Sequence, residues 1–399
     1  MSSVTLTAAT RQNLLSLQDT ASLTATTQNR LSTGLKVSSA LDNPVSFFTA
    51  QSLSQRSGDL GNLLDGISNG IQSIQAANQG ITSIQKLVDQ AKSVANQALS
   101  TQITTTGTAS TAYAAPGSGG TTVGLFVNGA ATSAALSSGD TIDQAITKLN
   151  TAVGAGSFSK STDGTKIVMN ASSDVEFATA AGQTALGFAN GTGSSTTYGT
   201  SGSPATAVAQ SSDLSVSGVS TRTSLATQYN SLLTQIDQLA GDSSYNGTNL
   251  INGASANNNL TINFNPKGNS NLTVTATDET SSGLKLKAIT AVSGAGGVSQ
   301  GNFLLNADIN TTLNSLTSAG NQLRSDASTF GSNLSVVQNR QDFSKNLINV
   351  LDTGSSNLTA ADLNQEAANS QALSTRQSLG ISALSLANTA QQGILQLLR

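Results

Sequence analysis

The side chains that could do chemistry are few and scattered in this 399-residue sequence. Glutamate occurs only at Glu176, Glu279 and Glu366, and the chain contains no histidine, cysteine or tryptophan. Zinc, copper, haem and iron–sulfur centres therefore lack their usual ligands, and the commonest general acid–base at neutral pH is missing. Aspartate pairs remain, but no carboxylates cluster at a spacing typical of a catalytic site. We expect no enzyme activity and no cofactor.

The composition also limits the partners of the chain. Only 10% of the residues are charged and the formal net charge is −3, so we expect no nucleic-acid binding, which requires a clustered basic face. The surface of such a chain is neutral and rich in uncharged hydrogen-bonding side chains, which favours packing against copies of the same chain. No run of about 18 apolar residues exists, so we expect no membrane insertion. Met1–Arg30 lacks the features of a cleaved signal peptide, so we expect any export to proceed without one.

Both ends of the chain carry patterns typical of long helices. Their apolar residues recur in steps of three and four, the spacing of a heptad seam. Gly34 and the stretch Asp42-Asn43-Pro44 are predicted to end the first helix, and Asp42 is either an assembly contact or a turn residue. The apolar positions of the two terminal seams, here called the polymerisation seam, are Leu14, Leu17, Leu31, Leu35, Ile381, Leu384, Ile394 and Leu398.

Three further helices carry heptad patterns between the chain ends. The strongest runs from Ile309 to Leu351, and Gly354 is predicted to end it as a C-terminal cap. The positions expected to be most buried, here called the core seam, are Ile67, Ile71, Ile74, Leu232, Ile236, Leu323, Phe330, Leu334 and Val337.

The middle of the chain changes in character. Thr101–Ser212 is rich in Gly, Ser, Thr and Ala and predicts an inserted α+β domain. Its expected elements are strands at Thr122–Val127 and Lys166–Met169, a turn at Asp163-Gly164, and one helix over Thr141–Ala152 capped by Asp140 or Thr141. A second hairpin is predicted from Leu260–Phe264 to Leu272–Ala276.

The terminal helices pose a physical problem. Each has one narrow apolar stripe interrupted by polar residues such as Thr24 and Gln28. Isolated helices of this kind are marginal in water, because tertiary packing supplies most helical stability. Pairing the two ends would cover only part of each stripe. The sequence therefore predicts chain ends that become stable when further copies pack around them.

Four stretches of the sequence resemble bacterial flagellins. The segment from Gln28 to Asp42, with the core Arg30-Leu31-Ser32-Thr33-Gly34, is similar to the N-terminal signature of the family. The other three matches, in the family's order, are the turn Tyr245–Ile251, the helix Leu334–Leu347 and the closing helix Ala383–Arg399.

This resemblance implies a mostly α fold with an α+β insert. The N- and C-terminal helices would pair in an α-helical coiled-coil core, and a β-rich outer domain would face solvent. The expected boundaries are 1–44 and 354–399 for the inner-tube helices, 45–100, 213–303 and 304–353 for the core helices and hairpin, and 101–212 for the insert. The family usually carries its variable region later in the chain, just before the C-terminal helix.

The resemblance also implies a function and partners. The chain would be a structural subunit that polymerises into the extracellular flagellar filament used for swimming. Its partners would be other flagellin subunits, the flagellar export apparatus and an export chaperone, the cap protein and hook-associated proteins. The absence of cysteine fits export as an unfolded chain, because a disulfide would obstruct threading.

Receptor sites known in the family carry over only partly. Lys86, Asp89 and Gln90 stand where Arg, Glu and Leu are typical of the animal toll-like receptor site. The loss of a bidentate arginine and of an apolar anchor would weaken such a contact by roughly a few kcal/mol. We expect poor recognition by that receptor.

Other functions compete with the filament subunit. A hook–filament junction protein would share the terminal helices. A secreted enzyme carried on flagellin ends would need a recognisable catalytic site between Thr101 and Ser212, and an intracellular coiled-coil scaffold would need more charged flanking positions. The Leu-Leu-Arg end and the turn at Asn246 favour the filament.

Overall fold

The computed structural model describes residues 8–193, 195–198, 205–253, 258–290 and 303–397. The chain divides into two compact units, each built from distant parts of the sequence. The terminal unit comprises Met1–Ser68, Ile262–Leu272 and Val337–Arg399, and the central unit comprises Asn69–Thr261 and Thr273–Val336.

Helices make up most of the described chain, as predicted. Their bounds are α1 Ala8–Thr33, α2 Pro44–Ser100, α3 Ile142–Val153, α4 Ala180–Ala185, α5 Val219–Asp242, α6 Asn306–Thr359 and α7 Leu363–Leu397. The predicted break after the first helix is confirmed. Gly34 follows α1 with a φ of +69°, a conformation that costs glycine little, and Pro44 opens α2 at the position where a missing N–H is harmless.

The prediction that a helix ends at Gly354 is wrong, because α6 continues to Thr359. A β-carbon at position 354 would lie 3.4 Å from a methyl carbon of Leu53 on α2. Gly354 therefore lies in a contact between the two helices within the terminal unit, and it does not act as a cap.

The strands form two main antiparallel sheets and three short hairpins. One sheet has the order β4-β5-β1-β9 and the other β3-β2-β6. The strand bounds are β1 Thr104–Thr108, β2 Thr121–Val127, β3 Ala130–Leu136, β4 Phe158–Lys160, β5 Ile167–Ala171, β6 Val175–Phe177, β7 Thr196–Tyr198, β8 Ala205–Ala207, β9 Leu214–Ser217, β10 Ser244–Tyr245, β11 Thr248–Asn249, β12 Leu260–Asn263 and β13 Asn271–Val274. Both predicted hairpins, β4–β5 and β12–β13, are confirmed.

The strands β1–β9 and the helices α3 and α4 make up the insert, which has a hydrophobic core of its own. The predicted helix is confirmed as α3, and Thr141 caps it in a reciprocal capping box with Gln144. The largest side chains of this core are Leu125, Leu149, Phe158, Phe177 and Phe188. A separate core of this kind allows the insert to fold without help from the chain ends.

Among the helices of the described residues, none combines the length and the apolarity that crossing a bilayer demands.

Candidate polymerisation surfaces

The first and last helices pair in the terminal unit. Arg30 near the end of α1 forms a 3.1 Å salt bridge with Glu366 near the start of α7, and Leu17 of α1 lies against Gly380 of α7. The two helices therefore run antiparallel. A β-carbon at position 380 would lie only 3.1 Å from Leu17 Cγ, so glycine permits this close approach.

Threonines provide much of the α1 surface that this pairing covers. Thr20 and Thr27 are buried, and Thr24 is half-buried. The hydroxyls of Thr20 and Thr24 each donate a 2.7 Å hydrogen bond to the carbonyl four residues earlier in α1. Because the hydroxyls are satisfied inside their own helix, the methyl groups are free to pack. A line of threonines buries less apolar area than a line of leucines would, so it contributes less to the stability of the α1–α7 pair.

Backbone hydrogen bonds fix the chain where the two terminal helices meet their neighbours. The Lys36 N–H donates to Thr359 O at 2.7 Å, and the Ala361 N–H donates to Gly34 O at 2.9 Å. Together they form a short antiparallel bridge between Leu35 and Ala360. The link from α1 to α2 and the link from α6 to α7 therefore hold each other in place.

The structure separates the polymerisation seam into two groups. Leu17, Leu31 and Leu384 are half-buried, whereas Leu14 is 41% and Ile381 56% exposed. Leu35 lies in the bridge with Ala360 and is also exposed. Leu398 lies outside the described residues, as does the side chain of Ile394.

Exposed apolar side chains concentrate in the terminal unit. Of the fifteen large exposed apolar residues among those described, thirteen belong to this unit, although it is the smaller of the two. Exposed apolar residues gathered in one part of a protein are typical of an interaction surface. The thirteen are Leu14, Leu15, Leu23, Leu35, Leu41, Val45, Phe48, Phe343, Val350, Leu363, Leu379, Ile381 and Leu386.

The core seam is almost completely covered by the chain itself. Its half-buried member is Leu334. The remaining eight are buried, namely Ile67, Ile71, Ile74, Leu232, Ile236, Leu323, Phe330 and Val337.

The three positions assigned to receptor recognition lie together on α2. Lys86, Asp89 and Gln90 are all exposed. Their side chains would therefore be accessible to a receptor that approaches a single chain.

Arg222 is a structural residue that the sequence patterns did not indicate. It lies near the start of α5 and is only 4% exposed. Its guanidinium donates to Thr101 O just after α2, to Phe303 O and Leu304 O just before α6, and to the side-chain oxygen of Asn306. The four bonds are 2.8 to 3.0 Å long, and they hold together the ends of three core helices in the central unit.

Replacing Arg222 is expected to destabilise the central unit. The Arg222→Met substitution keeps the apolar stem but leaves buried carbonyl oxygens without donors, at a cost of about 1–3 kcal/mol for each group left unsatisfied. We expect a loss of several degrees in the melting temperature, measured by circular dichroism. The Arg324→Met substitution on exposed α6 surface is the control, and equal losses from the two variants would contradict the assigned role.

These surfaces and this fold define a class of protein: a mostly helical chain whose first and last helices pair along a partly polar line and expose apolar residues, with a separate folded insert between them. Comparison with known families agrees. Residues 3–115 match the model of the bacterial flagellin N-terminal helical region, and residues 313–398 match that of the bacterial flagellin C-terminal helical region. The chain belongs to the bacterial flagellin family.

Individual relatives match over parts of the chain. It is similar to Flagellin C of Rhizobium meliloti, with 34% identity over 28% of this chain and 35% of the relative. It is also similar to a flagellin of Brucella melitensis, with 28% identity over 44% of this chain and 61% of the relative. Flagellin FljK of Caulobacter vibrioides is 30% identical over 44% of this chain and 59% of the relative. The chain thus spans about a third to three-fifths of the length of these relatives.

Proposed function

We propose that this protein is the structural subunit of an extracellular bacterial flagellar filament, and that it works by polymerising with copies of itself. The observation that carries the proposal is the concentration of exposed apolar side chains in the terminal unit. Burial of this surface between subunits would supply the free energy of assembly, since each Å² of apolar surface removed from water contributes about 25 cal/mol.

The proposed arrangement assigns a task to each part of the chain. Residues 1–44 and the chain after the end of α6, residues 360–399, form the inner tube, residues 45–100, 213–303 and 304–359 form the surrounding shell, and residues 101–212 face solvent. The role is mechanical: the subunits transmit torque along the tube, and small shifts between packed helices give filaments alternative supercoils. This role requires no catalysis and no cofactor.

We also infer the partners and the route of export. The subunit leaves the cell unfolded through the flagellar export apparatus with the help of an export chaperone, and it assembles under a cap protein onto hook-associated proteins. Two features support this route. The chain has no cysteine that could form an obstructing disulfide, and its terminal helices meet along a line that is partly polar.

Electron microscopy of the purified full-length chain tests the proposal. Long tubular filaments are the expected product, formed with short filament fragments as seeds. Rings or short caps would favour a hook–filament junction protein instead. A chain that stays monomeric at all concentrations, with protease-resistant ends, would overturn the proposal.

The animal toll-like receptor is expected to respond poorly to this chain. Lys86 cannot form the planar bidentate contacts of arginine, and Gln90 replaces an apolar anchor. We expect at least a tenfold weaker response in a reporter-cell assay than with a flagellin that has Arg, Glu and Leu at these positions. Restoring those residues together, by Lys86→Arg, Asp89→Glu and Gln90→Leu, should raise the response. Potent activation by the unmodified chain would contradict this expectation.

A further inference from the structure

We infer that two unlike faces of the terminal unit dock onto each other between neighbouring copies of this chain. The first, called the turn face, consists of Leu41, Asp42, Val45 and Phe48. The second, called the stripe face, consists of Arg340, Phe343, Leu347 and Val350 on α6. This inference rests on the proposed function and names the surfaces that meet.

The turn face is rigid although it is exposed. One carboxylate oxygen of Asp42 accepts hydrogen bonds from the backbone N–H groups of Ser38 and Ser39, at 3.0 and 2.9 Å, and from both of their hydroxyls at 3.1 Å. These bonds hold the pKa of the Asp42 carboxyl below its usual range, so the group is ionised. The same turn leaves Leu41 96% exposed. A fixed loop that presents a leucine to water is suited to contact another surface.

The turn face continues along the first turns of α2. Val45 is 77% and Phe48 59% exposed, and the ring of Phe48 packs edge-on against Phe47 with the ring centres 5.6 Å apart. On the opposite side of the helix, Ala50 is buried and its carbonyl accepts a hydrogen bond from Ser355 of α6. Contacts within the chain therefore do not cover Val45 and Phe48.

The stripe face follows helical spacing. Arg340, Phe343, Leu347 and Val350 are separated by three, four and three residues, which places them on one side of α6. Ser344 and Leu351 of the same helix are buried, each one residue after an exposed member of the stripe. One residue corresponds to about 100° around a helix. Phe343 and Val350 therefore face away from the residues of α6 that are buried within the chain, and Leu347 between them is half-buried.

The charges of the two faces are complementary. The guanidinium of Arg340 lies over the ring of Phe264, 5.7 Å from its centre, which holds the cation in place at one end of the stripe. Among the described residues, neither Arg340 nor Asp42 has a salt-bridge partner. Each face thus combines an apolar patch with one fixed charge, and the charges have opposite signs. An Arg340–Asp42 contact would set the register between two apolar patches.

The geometry points to contact between unlike faces of successive copies. A contact between two like faces closes a dimer, whereas a contact between two different faces that does not close on itself extends into an open helical array. The turn face lies at the start of α2, whereas the stripe face lies on α6, before the residues Gly354 and Ser355 that contact α2. One copy can therefore use both faces at the same time, with two different neighbours.

Site-specific crosslinking of assembled filaments tests this pairing, and the absence of natural cysteine makes an introduced thiol unique. Filaments are grown from an equal mixture of the Val45→Cys variant and a size-tagged Phe343→Cys variant and are treated with a short bismaleimide. The expected product is a mixed dimer of the two variants, and filaments of either variant alone should give at most a tenth as much dimer. Homodimers at similar yield, or no crosslinking in normal filaments, would overturn the pairing while leaving the proposed function intact.

A charge reversal tests the same pairing without cysteine. The Arg340→Glu substitution should raise the critical concentration for polymerisation at least tenfold, whereas Lys345→Glu, an equal charge change on the other side of α6, should alter it less than threefold. Equal effects of the two substitutions would count against the pairing. If the unmodified chain forms no filaments, the proposed function and this inference fail together.

Discussion

The Ile381→Asp substitution is expected to abolish filament formation while the chain remains folded. Ile381 is 56% exposed in the single chain, so a carboxylate there remains hydrated and costs the monomer little. In a filament the same carboxylate would be buried against a neighbouring copy without a partner, which costs several kcal/mol. An increase of about 3 kcal/mol in the free energy of subunit addition would raise the critical concentration by roughly two orders of magnitude. Sedimentation and electron microscopy measure this change.

The control places the same charge on the insert. Ala155 is an exposed residue of the turn after α3, and Ala155→Asp should polymerise like the unmodified chain because the insert is proposed to face solvent. Leu384→Asp and Leu31→Asp should also abolish polymerisation, but since both leucines are half-buried, these variants should loosen the chain ends as well. Normal filaments from Ile381→Asp would rule out this part of α7 as an assembly surface.

Local signals in the sequence were sufficient for many elements of the fold. The capping box at Thr141 and Gln144, the turn at Asp163-Gly164 and the break from Gly34 to Pro44 each depend on residues a few positions apart. The Asn246-Gly247 turn belongs to the same group. Both residues have positive φ, of 48° and 78°, and they join β10 to β11 as such a turn requires.

The contact between α1 and α7 was harder to predict, because part of it consists of threonines. Heptad spacing of leucine and isoleucine puts Leu14 and Ile381 on the same stripes as Leu17 and Leu384. In the structure the first two are exposed, and Thr20 and Thr27 are buried instead. The reason is that a threonine hydroxyl bonded to its own helix leaves a methyl group for packing, and sequence spacing does not show this bond.

Contacts between distant segments could not be predicted from one sequence. Arg222 binds carbonyls that are 121 and 81 residues away in the chain, and no local pattern marks it. Gly354 looks like a helix cap in the sequence, because its contact with Leu53 of α2 joins segments that are distant in the chain. The order β4-β5-β1-β9 likewise pairs β1 with strands far away in sequence, and loop lengths alone do not determine such pairing.

The surroundings of Glu279 also depend on segments that are distant in sequence. Glu279 is a buried acid without a compensating cation among the described residues. Of the three glutamates in the chain, Glu366 is buried with Arg30 as its partner, whereas Glu279 is fully buried beside the carboxyl group of Asp326 on α6. Burial raises the pKa of Glu279 to about 8, and the carboxyls of Asp326 and Asp278 act in the same direction, while Thr277 opposes them. The Glu279 side chain is therefore mainly protonated at neutral pH.

The protein is consequently expected to lose stability as the pH rises. A carboxyl group whose pKa is higher in the folded state than its ordinary value of 4.5 binds its proton more tightly when the chain is folded. Its contribution to stability is complete below about pH 4.5 and is lost as the pH rises to about 8. With about 1.36 kcal/mol for each pKa unit, the loss is on the order of 5 kcal/mol.

The Glu279→Gln substitution should remove this pH dependence, because glutamine keeps the shape of the protonated acid and does not titrate. Urea unfolding of the unmodified chain and the variant between pH 5 and pH 9 measures the difference. The variant should be the more stable of the two at pH 9, and the curves should converge toward pH 5. Asp352→Asn, which removes an exposed carboxyl from α6, is the matched control and should retain the slope. An equal slope in the unmodified chain and in Glu279→Gln would show that Glu279 is ionised in the folded protein and that another group stabilises its charge.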